Sequence, residues 1–263
     1  MAKKRIDIIL VEKEYYETRN QAQAALMAGR VFVNGRKIDK SGEKFDELAE
    51  INVVEEFPYV SRGALKLQTA YENFNLDFQN KVAMDIGAST GGFTDFMLQH
   101  GIIKVYALDV GYGQLHYKLR NNSQVINIEK TNVRNYDNPE LYEKIDIMTG
   151  DLSFISITKV YENVRKYVKN NGEIILLVKP QFEAGKSQVG KKGLISDKNV
   201  YREVLDKVIK FIENTGDVVE NICISGIKGA KSGNTEFLIK ILKNSETEVC
   251  NLEGKIEKLL EEI

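Results

Sequence analysis

Apolar and polar positions alternate in short, regular blocks over most of this chain. Val82-Ala-Met-Asp-Ile-Gly, Lys104-Val-Tyr-Ala-Leu-Asp-Val, Val125–Ile128, Ile145-Asp-Ile-Met and Glu173-Ile-Ile-Leu-Leu-Val are apolar runs of strand length. They are too short for ordinary buried helices and rich in β-branched residues. Between and around them lie stretches with helical spacing: Gly63–Tyr71, Gly92–His100, Thr158–Val168 and a long one near Lys198–Thr215. Two further strands are predicted near Val218–Ser225 and Glu236–Leu242, and a terminal helix at Lys255–Glu262. Strands that alternate with amphipathic helices predict an α/β fold, doubly wound around a mostly parallel, seven-stranded sheet. In such sheets ligands bind beyond the carboxyl ends of the strands, so chemistry is expected there.

The rhythm before residue 58 is different. Ile6-Asp-Ile-Ile-Leu-Val starts a short helix with Asp7 near its cap. A second helix runs from Thr18 as N-cap through Arg-Asn-Gln-Ala-Gln-Ala-Ala-Leu-Met-Ala to Gly29, where a positive φ costs glycine little. Arg30-Val-Phe-Val, Asn34-Gly35 and Arg36-Lys-Ile then read as a hairpin, because a type I′ turn needs φ > 0 at both central residues. The predicted organisation is a small module over 1–57, a linker over 58–62, the α/β domain over 63–243 and an acidic tail over 244–263.

Charge sharpens this division. The net charge is −1, yet residues 1–40 hold nine Lys/Arg against five Asp/Glu, and residues 41–57 hold one Lys against six Asp/Glu. A basic module fenced by an acidic segment suits a nucleic-acid partner better than the total does. No apolar run approaches the roughly 18 residues needed to cross a bilayer. The start of the chain lacks the apolar core of a secretory signal. Two cysteines, Cys223 and Cys250, are too few for a disulfide framework, and the separated His100 and His116 suggest no zinc cluster. A cytoplasmic protein with no metal is expected.

Two groups of residues carry candidate chemistry. Asp85-Ile-Gly87-Ala88-Ser89-Thr-Gly91-Gly92-Phe93 closes the first long strand and opens a helix, a place where backbone and helix N-terminus can approach a ligand. It is not the dinucleotide pattern G-x-G-x-x-G, which weakens a nicotinamide dehydrogenase as an alternative. Asp109 ends the next strand, where an acid can accept hydrogen bonds from a ribose diol. The second group is Lys66, Asp151, Lys179 and Glu236, in a predicted helix and at three strand ends. Lys179 directly follows an apolar run and must end at a wet or paired site.

These segments carry resemblances. The turn and Asp109 resemble class I methyltransferases. That resemblance implies S-adenosylmethionine held by Asp85, Gly87, Ala88, Ser89, Gly91, Gly92 and Phe93 on its amino-acid side, and by Asp109 at the ribose. Val110, Asn132 and Val133 would hold the adenine, with Asp151 beside the reacting centre. The order Lys–Asp–Lys–Glu resembles the tetrad of FtsJ-type ribose 2′-O-methyltransferases, which implies Lys179 at the ribose hydroxyl, Asp151 and Glu236 orienting it, and Lys66 completing the network. The module resembles the RNA-binding fold of ribosomal protein S-four and its relatives, which implies RNA contacts at Lys4, Arg5, Arg19, Gln21 and Arg36, with Arg62 added from the linker.

Val60-Ser-Arg-Gly-Ala-Leu-Lys66, Asp85–Thr94, Gly150-Asp-Leu-Ser-Phe-Ile-Ser156 and Val178-Lys-Pro-Gln-Phe-Glu183 together resemble the TlyA family over nearly the whole chain. That implies cytidine 2′-O-methylation of ribosomal RNA in the large subunit, and in some members also the small one. The partners implied are ribosomal RNA or ribosomal subunits, with no stable membrane association. Relatives can carry Arg-x-Trp-Val before the Ser-Arg-Gly, where this chain has Phe57-Pro58-Tyr59-Val60. The lysine- and glycine-rich loop Gly185–Asp197 is expected to be mobile and to close over RNA. Two alternatives belong to other classes. The family's older hemolysin name predicts a membrane-active segment, and a binding-only ribosome factor predicts an inert second domain.

Overall fold

The computed structural model describes residues 3–55, 57–227, 233–247, 249 and 251–263. Cys250, noted in the sequence, lies outside the described residues. The chain divides into two compact units between Pro58 and Tyr59.

The first unit contains β1 (Lys4–Arg5), α1 (Ile6–Glu12), α2 (Arg19–Met27), β2 (Val31–Val33), β3 (Arg36–Ile38), β4 (Lys44–Phe45) and β5 (Ile51–Val53). Thr18 caps α2 as expected. Its hydroxyl accepts from Gln21 N, and the Gln21 side chain accepts from Thr18 N, which satisfies two otherwise orphaned donors. Asn34 (φ 49°) and Gly35 (φ 74°) make the tight turn between β2 and β3. Strand β5 pairs with the other edge of β2, and β1 pairs with β4; the sequence did not signal these short strands. Ile6, Leu10, Ala22, Ala25, Leu26, Val31, Val33 and Ile38 form the unit's own core.

The second unit contains α3 (Ala64–Phe74), β6 (Val82–Ile86), α4 (Gly92–Gln99), β7 (Lys104–Leu108), α5 (Tyr117–Arg120) and β8 (Val125–Ile128). There follow β9 (Ile145–Gly150), α6 (Tyr161–Arg165), β10 (Val168–Val178), α7 (Pro180–Glu183), α8 (Lys198–Glu213), β11 (Val218–Ile224), β12 (Phe237–Leu242) and α9 (Leu252–Glu261). The seven strands stand in the order β11-β12-β10-β9-β6-β7-β8. Neighbours are parallel from β10 to β8, and β12 is antiparallel to β10 and β11. The chain winds outward from β6 in both directions, so the loops after β6 and β9 flank the switch point.

Strand β10 shows why the pattern reads as a central strand. Ile174, Leu176 and Val178 enter the core under α6 and α8, while Ile175 and Leu177 enter the opposite core under α3 and α4. The helix expected over 158–168 is shorter: a 3₁₀ turn at Ile157–Lys159 precedes α6. Val168 already pairs with Ile145, so sheet register claims residues whose spacing suited a helix. Among the described residues no helix is long and apolar enough to cross a membrane.

Candidate active site

The turn after β6 is shaped by what lies behind it. Gly87 has φ +78°, and a Cβ there would stand 2.9 Å from the carbonyl oxygen of Asp151. Only glycine lets this turn lie against the end of β9. Gly92 plays a similar part toward α3, since a Cβ on it would lie 2.8 Å from Ala64 N. The turn is thereby packed against the helix that carries Lys66. At Gly91, with φ +93°, a Cβ would stand 2.2 Å from Leu119 and 2.8 Å from Leu115.

Two adjoining cavities open over this turn. One, of about 360 Å³, is lined by Asp85, Gly87, Ala88, Ser89, Gly92, Phe93, Asp151 and Lys179 among others. The second, of about 710 Å³, takes in Asp109, Val110, Asn132 and Val133. Gly87, Ser89, Asp151 and Ser153 border both. The expected cofactor residues other than Gly91 therefore converge on one connected space. Asp109 is already held in place: its carboxylate accepts from Ser89 N at 2.8 Å and Gly111 N at 2.6 Å. Asp85 is almost fully buried, and its oxygens accept from the Thr94 and Thr149 hydroxyls at 2.7 and 3.1 Å. Burial pushes its carboxyl up to about 7, against the pull of those two hydroxyls.

The four expected catalytic residues meet at the edge of the smaller cavity. Lys66 Nζ lies 2.9 Å from Glu236 Oε2 and 3.0 Å from Asp151 Oδ2. Lys179 Nζ lies 2.5 Å from Asp151 Oδ1 and donates to Ser153 Oγ at 2.8 Å. Signs alternate along Glu236–Lys66–Asp151–Lys179, so every charge touches only its opposite. Burial works against the Lys66 ammonium, but Asp151 and Glu236 outweigh it and hold the group above its ordinary value. Burial likewise works against ionised Asp151, and the two lysines overcome it and hold the carboxyl below the usual range. One assignment is corrected: Glu236 pairs with Lys66, not with Lys179. The Lys66 side chain, inserted from α3, takes the position between them.

Several residues around the cavities were not singled out from sequence. Ser61, Gln114, Thr131, Arg134, Ser153 and Phe154 line the space. Ser153 and Phe154 sit inside the Gly150–Ser156 motif, and that was their only signal. Phe154 is 83% exposed at a left-handed φ of 64°. Arg62, expected at RNA, is exposed and borders the smaller cavity. The loop Gly185–Asp197 forms two 3₁₀ turns and is tied down by buried Asn234. Asn234 donates to Gly193 O at 2.7 Å and accepts from Ile195 N at 3.0 Å.

In the first unit every expected RNA-contacting cation already has an acidic partner. Lys4 bridges Glu12 and Glu47, Arg5 and Arg19 share buried Asp7, and Arg36 pairs with Glu43. Their side chains remain 41–63% exposed, so each keeps an outward face. Gln21 is engaged in the α2 cap.

Comparison with known proteins finds relatives of both units. Residues 59–242 match the FtsJ-like methyltransferase family, and residues 4–51 match the S4 domain. Hemolysin A of Brachyspira hyodysenteriae is 43% identical over 89% of this chain and 98% of its own length. The 16S/23S rRNA (cytidine-2′-O)-methyltransferase TlyA of Mycobacterium tuberculosis is 35% identical over 89% of this chain and 88% of its own. A solved hemolysin-named structure from Streptococcus thermophilus superposes with a TM-score of 0.74 at 38% identity, covering 100% of this chain and 96% of that one.

Proposed function

The chain belongs to the FtsJ-like methyltransferase family, and from that premise we propose that it methylates the ribose 2′-hydroxyl of a cytidine in ribosomal RNA. The observation that carries this reading is the alternating chain of charges Glu236–Lys66–Asp151–Lys179 beside the glycine-lined cavity.

The cradle suits S-adenosylmethionine. Gly87 lets the turn lie against Asp151 O, and two adjoining cavities give room for an amino-acid end and a nucleoside end. Gly87, Ser89, Gly92 and Phe93 would hold the amino-acid part, Asp109 the ribose, and Val110, Asn132 and Val133 the adenine. The bound sulfonium supplies an electrophilic methyl group. The protein's task is then to hold a poor nucleophile in line and favour loss of its proton. Lys179 has three N–H donors; one goes to Ser153 Oγ and the ammonium is ion-paired with Asp151, which leaves donor capacity for the ribose oxygen. Asp151 fixes the direction of that ammonium. Lys66 keeps Asp151 ionised, and Glu236 keeps Lys66 charged. No step requires a metal.

The S4-type unit is the RNA-docking part of this reading. The outward faces of Lys4, Arg5, Arg19 and Arg36 serve phosphates, with Gln21 and Arg62 beside them. The large ribosomal subunit is the first candidate substrate; the name of the Mycobacterium tuberculosis relative also covers the small one. The place of action is then the cytoplasm.

The test is methyl incorporation from radiolabelled S-adenosylmethionine into isolated ribosomal subunits, followed by mapping of 2′-O-methyl positions. Lys179→Ala should lower the rate about a hundredfold or more. An unchanged rate in that variant would remove the assignment.

A further inference from the structure

The segments that carry Asp151 and Lys179 meet repeatedly along their lengths. Lys179 grips Asp151 and Ser153. The rings of Phe154 and Phe182 lie 5.2 Å apart. One residue further, Glu183 Oε2 accepts from the Ser156 hydroxyl at 2.5 Å, and Oε1 accepts from Ile157 N at 2.6 Å. Helix α7 is a single turn, so the Lys179 ammonium and the Glu183 carboxylate stand at its two ends. The chain from Asp151 to Ile155 lacks helix and strand, and Phe154 within it has a left-handed backbone. A loop of this kind keeps its geometry only where its surroundings over-determine it.

Glu183 is 3% exposed, and burial raises its carboxyl against the pull of Ser156 and Ile157. A buried acid carries a desolvation cost, which two short hydrogen bonds to one loop end offset. The mechanism above makes no use of it.

We propose that Glu183 is a positioning residue for methyl transfer. Its carboxylate pins the far end of the loop that starts at Asp151, and this fixes the Asp151 carboxylate and Ser153 hydroxyl that aim the Lys179 ammonium. The inference rests on the methyltransferase reading of the same site. The action runs through Ser153 and Asp151, so it separates from simple stabilisation in kinetics. A loosened loop misaims Lys179 first, so the loss falls chiefly on kcat; Asp109 and the first unit, which hold the cofactor ribose and the RNA in that reading, lie outside the loop.

The experiment measures kcat and KM for full-length Glu183→Ala and Glu183→Gln on ribosomal subunits, alone and combined with Ser153→Ala. Thermal unfolding of each variant runs alongside. Glu183→Ala should lower kcat about thirtyfold with KM for both substrates within about twofold, and Glu183→Gln should recover most of the loss. In the Ser153→Ala background the same change should cost less than about threefold, because one route of its action is already gone. A loss confined to KM, an unchanged kcat, or an equal loss in both backgrounds would overturn the proposal. Should Glu183→Ala not fold, Ser156→Ala replaces it: a kcat loss that shrinks in the Ser153→Ala background supports the proposal, and an equal loss overturns it. A wild-type chain that transfers no methyl group to RNA overturns the methyltransferase reading and this inference together. An active wild type with unaffected variants overturns this inference alone.

Discussion

At the scale of single residues, the site is governed by what burial does to charge. Lys66 stays ionised in a nearly dry place because it pairs with both Asp151 and Glu236. Asp85 is the contrasting case. It has hydroxyl partners but no cation on its carboxylate, and burial lifts it from 3.8 to about 7. Between those values the folded chain keeps a proton that the unfolded chain has released. The contribution of Asp85 to stability therefore falls as pH rises across that window, and the full cost is present above it. Asp85→Asn removes this dependence. Its thermal midpoint relative to wild type should rise between about pH 5 and about pH 8, measured by scanning calorimetry. A difference that stays constant with pH would show that the carboxyl ionises normally.

At the scale of elements, turns and strand ends set the geometry. The β6–α4 turn was visible in the sequence because glycines cluster there, and the structure gives Gly87 its reason: the wall formed by Asp151 O. Gly87→Ala should weaken S-adenosylmethionine binding about tenfold, since backbone strain of order 1–3 kcal/mol falls on the turn. Isothermal calorimetry reads this directly, and an unchanged Kd would mean that the turn relaxes freely. The α2 cap and the Asn34-Gly35 turn were equally legible, because their signals are local and the backbone conformations they need are rare. The α6 region was not. Residues 158–168 have helical spacing, but pairing of Val168 with Ile145 extends β10 backward and shortens the helix. Strands β1, β4 and β5 were missed because two or three residues carry no period.

At the scale of the whole molecule, the small net charge conceals a division of labour. The first unit presents cations whose inner sides are neutralised by its own acids, with Asp7 serving both Arg5 and Arg19. Asp7 is fully buried, and the guanidinium of Arg5 leads in holding its carboxyl far below the usual range. Such pairing stiffens the arginines and leaves their outer N–H groups exposed, which is the face the proposed RNA contact would use. Arg19→Ala should weaken binding to ribosomal subunits and reduce the slope of log K against log salt by about one. It should leave kcat and cofactor affinity unchanged. Filter binding at several salt concentrations, paired with methyl incorporation, checks both parts. An unaltered slope would place Arg19 off the RNA.

The sequence by itself determined the sheet and most of its helices, the glycine turn, the capped helix and tight hairpin of the first unit, and it singled out the four charged residues that the structure brings together. Each of these rests on periodicity, or on residue types that few local conformations accept. Tertiary structure decided who pairs with whom. Lys66 and Glu236 are 170 positions apart, and only the winding of the sheet brings them to 2.9 Å. That Glu236 serves Lys66 instead of Lys179, that the Gly91 turn packs on Leu115 and Leu119, and that Glu183 reaches across to Ser156 follow from the packing of distant strand ends. No local pattern encodes such a meeting, because the free energy that fixes it comes from the shared core beneath.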